Sequence, residues 1–228
     1  MENVQETYSD FHRAKQSRHV YPSEWVIRTL LGKYPRLELD QSRYAGAHLL
    51  DLGFGDCRNM PLLDNCGFNI HGVEISDEIL ALARDKLRRL NIAASLVRGS
   101  NTSIPYPGQF FDYVLACHSC YYVDRGSSFD DNLTEIARVM KPRATLIASL
   151  PAPGNFILEN CQRLDGGHVV IANDRYGLRN GYVFRAFADE RDVEASFAPR
   201  FQKIAISRWS DDAWGVQVNF FVVVCERS

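Results

Sequence analysis

Two acids and two glycines carry the chemistry that is easiest to read from this chain. The apolar run His48-Leu49-Leu50 ends in Asp51-Leu52-Gly53-Phe54-Gly55, and a second run, His71-Gly72-Val73, ends in Glu74-Ile75. Alternate glycines let a chain turn tightly and let a ligand approach its backbone. An acid at the tip of the next strand can accept hydrogen bonds from both hydroxyls of a ribose. Together they make a nucleoside pocket at the carboxyl edge of a parallel sheet. A dinucleotide site would also need a small sixth residue, counted from Gly53, for close helix–strand packing. That residue is Arg58, a bulky cation, which argues against a nicotinamide dinucleotide.

The surrounding pattern supplies the elements that must hold these residues. Strands are expected at 47–52, 68–74, 92–97, 111–117 and 144–150. Helices are expected at 56–65, 77–90 (capped by Ser76) and 129–140, stopped by Pro142. This rhythm implies right-handed crossovers and a parallel sheet covered on both faces. An earlier helix follows Pro22 and runs to about Lys33, and residues 34–46 read as a loop. Residues 151–187 show little periodicity and read as a folded excursion beside the sheet. A short helix at 189–197 and two strands at 201–208 and 216–225 follow. With no helix between them, those strands must pair antiparallel.

At 228 residues the chain suits one α/β domain, organised as 1–46, 47–150, 151–187 and 188–228. Hydrophobic residues at 46% and charged residues at 24% are those of a soluble globular protein. A net charge of −2 gives no footprint for nucleic acid. No apolar run reaches the roughly 20 residues of a membrane span, and residues 1–6 lack a secretory pattern, so a cytoplasmic location is expected. The six cysteines are expected to be reduced. Cys117-His118-Ser119-Cys120 is a lone CxxC without further ligands at comparable spacing, and no metal is expected.

Residues 47–150 resemble the class I S-adenosylmethionine-dependent methyltransferases. Asp51-Leu52-Gly53-Phe54-Gly55 matches their first motif, and Glu74 stands where the ribose-binding acid does. Ile104-Pro105-Tyr106-Pro107-Gly108-Gln109-Phe110-Phe111-Asp112-Tyr113-Val114 and Leu133–Pro142 resemble the approaches to their fourth and fifth strands. The resemblance implies a Rossmann-like, mainly parallel seven-stranded sheet with helices on both faces and a C-terminal antiparallel hairpin. It also implies S-adenosylmethionine as cofactor and S-adenosylhomocysteine as product. Asp51, Gly53, Gly55, Arg58, Glu74, Ile75, Ser100, Asn101 and Cys117 are then the expected cofactor residues. The chain departs from the family at Cys57, where many members have a third glycine. It departs again at Ser100-Asn101 in place of an adenine-binding acid, and at Arg143-Ala144 in place of glycines.

Methyl transfer to an alcohol needs an in-line geometry and a base. His118, directly after the fourth strand, is the candidate base, or else a residue that only hydrogen-bonds within its loop. Tyr21, Tyr121, Tyr122 and Arg179 are the candidate substrate residues. The stretch from Tyr8 to Tyr21, with His12, Arg13, Lys15, Arg18 and His19, reads either as a cationic lid over the cofactor or as a solvated basic helix. The expected substrate is a small polar molecule, methylated at oxygen, with a sugar or sugar-linked metabolite first. Methylation of a small molecule at nitrogen, or binding of S-adenosylmethionine without catalysis, are the alternatives. The acceptor's identity and the oligomeric state are not legible.

Overall fold

A computed structural model describes residues 21–228. Strands β3 (His48–Leu52), β4 (Asn69–Glu74), β5 (Ala94–Arg98), β6 (Phe111–Ala116) and β8 (Met140–Pro151) form the parallel part of a seven-stranded sheet. β12 (Phe201–Asp212) and β13 (Gln217–Arg227) complete it, in the order β12-β13-β8-β6-β3-β4-β5. β13 pairs antiparallel with both β8 and β12. The parallel core with an antiparallel C-terminal hairpin is the architecture expected above.

Successive side chains on a strand point to opposite faces, and here both faces are buried. On one face Leu50, Leu52, Val114, Ala116, Leu146 and Ala148 pack with α4 (Phe129–Val139) and α5 (Glu190–Phe197). On the other, Leu49, Leu115 and Ile147 pack with α1 (Glu24–Leu31), α2 (Met60–Asn65) and α3 (Asp77–Leu90). Local signals set the helix ends. Ser76 accepts from the Ile79 amide, and Ser128 and Asp131 form a reciprocal capping box on α4. β3 has β4 on one side and β6 on the other, so the crossovers leave it in opposite directions. The crevice at its carboxyl end is where such sheets bind ligands.

Several boundaries move. The helix expected over 56–65 begins only at Met60, because residues 53–58 turn through left-handed backbone at Gly53, Gly55 and Cys57. β8 starts four residues early, at Met140, and passes through Arg143 at φ 63°. Residues 34–46 are not simply loop: β1 (Lys33–Tyr34) and β2 (Leu37–Glu38) form a small ribbon, and Gln41–Arg43 a 3₁₀ turn. The excursion is more regular than its sequence suggests. β9 (Gln162–Arg163), β10 (His168–Val170) and β11 (Val183–Arg185) join β7 (Tyr122–Val123) in a four-stranded antiparallel sheet. Strands of two or three residues are too short to carry a readable alternation. Phe184 anchors this sheet, fully buried against Tyr121 and Tyr122 at ring separations of 4.9 and 4.2 Å. Among the described residues no helix is long and apolar enough to cross a membrane.

At the opposite, amino-terminal edge of the sheet, His48 Nδ1 lies 2.9 Å from His71 Nε2. Burial among Phe110, Phe111 and Tyr106, then the neighbouring His48, pushes the His71 imidazole down to about 4. The unfolded chain therefore binds a proton here at a pH where the folded one does not, so stability falls as pH drops from about 6.5 towards 4. Thermal denaturation followed across that window should show this loss, and His71→Phe should flatten part of it.

Candidate functional site

A cavity of about 620 Å³ opens at the carboxyl ends of β3, β4 and β6. That size is typical of small-molecule sites. Its floor is the turn after β3. The Gly53 amide donates to the Val73 carbonyl (2.8 Å), joining the tips of β3 and β4. Gly53 sits at φ 68°, and a β-carbon there would lie 2.5 Å from Ser119 Cβ. No other residue fits without moving the loop after β6. Ser119 itself donates to the Leu52 carbonyl at 2.5 Å, closing the same corner from the other side. Cys57, where many family members have a third glycine, keeps the left-handed backbone at φ 60°. Below the loop, the buried Lys86 donates from Nζ to the Asp56 carbonyl at 2.5 Å.

The two acids sit in different surroundings. Glu74 accepts from the Ile75 amide at Oε2 (2.7 Å) and from the Gly55 amide at Oε1 (3.3 Å). Burial nevertheless raises its pKa above the ordinary value, against the pull of those two amides. Asp51 is 1% exposed and neither carboxylate oxygen has a hydrogen-bond partner among the described residues. Burial, then the charges of Asp56 and Glu74, push it up to about 8. A buried carboxylate without a partner is costly, and folded proteins retain such groups where a ligand completes them.

The remaining expected residues converge on the same cavity, with one exception. Arg58 lines it and is held by Asp56 in a two-pronged pair, Nε to Oδ1 at 3.1 Å and Nη2 to Oδ2 at 2.9 Å. Ile75, Ser100, Asn101, Cys117, His118, Tyr121, Tyr122 and Arg179 line it too. Tyr21 does not, and is 78% exposed. Tyr8 to Val20 lie outside the described residues. Arg179 donates from Nε to the Tyr122 hydroxyl (3.2 Å) and from Nη1 to the fully buried Asp174 carboxylate (3.2 Å). Asp174 also accepts from the amides of Tyr176, Leu178 and Arg179, so one buried acid shapes this wall. Cys117 and Cys120 are not set up as a pair of ligands. Cys117 faces the cavity 3.6 Å from Ser23 Oγ, whereas Cys120 is buried in the main core.

At the Ser100–Asn101 end, the Asn101 amide donates to the carbonyls of Ser119 and Tyr122, both at 3.0 Å, and so braces the loop after β6. Asn132 of α4 reaches the same loop at the carbonyls of Cys120 and Tyr122. Ser100 Oγ meets Thr102 Oγ1 at 3.2 Å, and Thr102 donates to Asp124 Oδ2 at 3.2 Å. Asp124 thus brings a carboxylate to this end from β7's loop, a residue that sequence reasoning missed. It also missed Asn155 on the excursion wall, where Tyr176 and Tyr182 of the aperiodic stretch line the cavity as well. No spacing connects them to the glycine turn.

His118, at φ 57°, lines the cavity. Burial, then the charges of Arg179 and Arg58, push its imidazole down to about 4, so the ring is neutral at pH 7.

Residues 50–148 match the family model of a methyltransferase domain. The demethylmenaquinone methyltransferase of Tropheryma whipplei is 31% identical over 104 residues, 45% of this chain and 41% of that one. The match thus spans about two fifths of that relative. A solved S-adenosylmethionine-dependent methyltransferase from Methanosarcina mazei superposes with a TM-score of 0.64 at 16% identity, covering 91% of this chain and 98% of that one. The 1,6-didemethyltoxoflavin-N1-methyltransferase of Burkholderia thailandensis, solved with S-adenosylhomocysteine, superposes with a TM-score of 0.57 at 16% identity over 81% and 72%. At these identities the solved structures establish the fold.

The raised Asp51 has a measurable consequence without any ligand. Its folded form stays protonated to about pH 8 while the unfolded form ionises near 4, so this residue destabilises the protein progressively as pH rises between those values. Asp51→Asn should raise the thermal midpoint of the ligand-free protein at pH 8 and change it little at pH 4.

Proposed function

From a class I S-adenosylmethionine-dependent methyltransferase domain in residues 50–148, we propose that this protein moves a methyl group to an oxygen of a small polar acceptor, with a sugar or sugar-linked metabolite as first candidate. The observation that carries the cofactor is the partnerless Asp51 carboxyl beside the Gly53–Gly55 turn, a pocket floor that lacks only a positively charged ligand. When bound, the cofactor supplies a methyl group on a cationic sulfur. Glu74, already oriented by two backbone amides, accepts from the ribose hydroxyls. Arg58 would meet the cofactor's carboxylate, and Ile75, Ser100, Asn101 and Cys117, which line the same cavity, would enclose the nucleoside end.

The acceptor side is the opposite wall, where Tyr121, Tyr122 and Arg179 meet His118. Arg179 is held by Asp174 and Tyr122, so a polar acceptor finds an oriented guanidinium rather than a mobile chain. Much of the rate would come from alignment. Holding two reactants in line is worth roughly 7–11 kcal/mol. Relatives named for acceptors as unlike as demethylmenaquinone and 1,6-didemethyltoxoflavin leave this pocket itself to select the acceptor.

Calorimetry with S-adenosylmethionine and S-adenosylhomocysteine is the test. Saturable one-to-one binding is expected. Glu74→Ala should weaken it about 10- to 100-fold, as removing a charged acceptor costs about 1.5–3 kcal/mol. No heat from either compound, or unchanged affinity in Glu74→Ala, would overturn the reading.

A further inference from the structure

Ser149, on β8 and fully buried, governs the chemical form of His118. Its Oγ accepts the His118 backbone N–H at 2.9 Å and lies 3.0 Å from His118 Nδ1. A serine hydroxyl has one proton to give. If that proton goes to Nδ1, the backbone amide, the hydroxyl and Nδ1 are all satisfied. If Nδ1 carried the proton instead, Oγ would accept twice and its own O–H would be buried with no acceptor, since no other described residue bonds it. Folded proteins avoid that arrangement. Nδ1 is therefore the bare nitrogen and Nε2 carries the hydrogen.

The ring cannot readily turn to escape this assignment. Trp25 of α1 meets it edge-on at 6.0 Å, and Phe220 of β13 edge-on at 4.9 Å. Nε2 makes no hydrogen bond to any described residue, and His118 lines the cavity. The charged groups acting on the ring are Arg179 from the excursion and Arg58 from the glycine turn, and both disfavour its protonated form. Ser149 is uncharged, as are Trp25 and Phe220.

We propose that Ser149 holds His118 as its Nε2–H tautomer, so that His118 donates a hydrogen bond to an acceptor that arrives as an oxyanion and does not remove a proton from it. The acceptor class rests on the methyltransferase reading above; the tautomer does not. The step then balances without a base. A bond forms from the acceptor oxygen to the methyl carbon, and the carbon–sulfur bond breaks with its electron pair left on sulfur. The negative charge on oxygen and the positive charge on sulfur cancel, and no proton departs. Of sugar-linked acceptors, this favours a carboxylate over an ordinary hydroxyl. It replaces the base role expected from the position of His118 in the sequence. Ser149 acts as a positioning residue, through His118.

The tautomer is readable by nitrogen-15 NMR on histidine-labelled protein, with His118→Gln assigning the signals. Near neutral pH, the expected pattern is a protonated, pyrrole-type Nε2 and a bare, pyridine-type Nδ1. Ser149→Ala should give a mixture of tautomers with the fold intact. Should that variant fail to fold, the wild-type spectrum still decides. A protonated Nδ1 in the wild type overturns the assignment. Acetate serves as the oxyanion probe, against sodium chloride at equal ionic strength. Acetate should shift the Nε2–H signal, with a smaller shift in Arg179→Gln. A signal that ignores acetate at every concentration the fold survives overturns the oxyanion class. Neither readout needs bound S-adenosylmethionine, so failure here and failure of the calorimetry above are separate results.

Discussion

The carboxyl edge of this sheet is organised around a carboxyl group that is buried with nothing to bond. Asp51 is the penultimate residue of β3, the middle strand of the parallel part, where crossovers diverge, and its oxygens are buried with no donor among the described residues. Isolated charges are too expensive to keep ionised in such a place, and the protein responds by holding the proton well above the usual carboxylate range. The parallel core, apolar on both faces, offsets that cost. A bound cation would reverse it. The glycine turn, the Ser119 hydroxyl and the Lys86 ammonium all serve to hold the backbone around this one group.

The second wall has a similar economy of means. One buried acid, Asp174, gathers three amides and the Arg179 side chain, and so turns a glycine-rich stretch into a fixed surface. Two asparagines, Asn101 and Asn132, meet at the Tyr122 carbonyl and brace the loop that carries His118 and the tyrosines. The small antiparallel sheet joins these parts, because β7 follows that loop directly and β11 pairs with it. The excursion wall is thus tied to the loop beside the glycine turn through β7 and the two asparagines, an arrangement that would suit the proposed transfer, which depends on alignment.

Much of this was legible in the sequence, and for physical reasons. Long apolar runs, with Ser76 and Pro142 at helix ends, marked the parallel core, because burial on both faces leaves no room for polar residues. The acid–glycine spacing located the cavity, because only that order builds a strand tip beside a tight turn. Departures at Cys57 and Arg143 proved less disruptive to the backbone than to the motif, since both residues adopt left-handed φ where glycine is usual. Such a residue costs about 1–2 kcal/mol, which a packed core can absorb. What was not legible depends on side-chain contacts that no periodicity encodes. Nothing near Asp174 announces that it will organise Arg179. Ser149 reads as one more strand residue until its hydroxyl is seen against His118, and the short strands of 162–185 are below the length at which periodicity speaks.

The central claim is that Asp51 is kept partnerless for a cationic ligand. The most direct measurement is the titration of its carboxyl carbon by carbon-13 NMR, with and without S-adenosylmethionine. A midpoint near 8 is expected in the free protein, moving to well below neutrality when the sulfonium compound binds. An ordinary carboxylate midpoint in the free protein, or one that bound S-adenosylmethionine leaves in place, would contradict it.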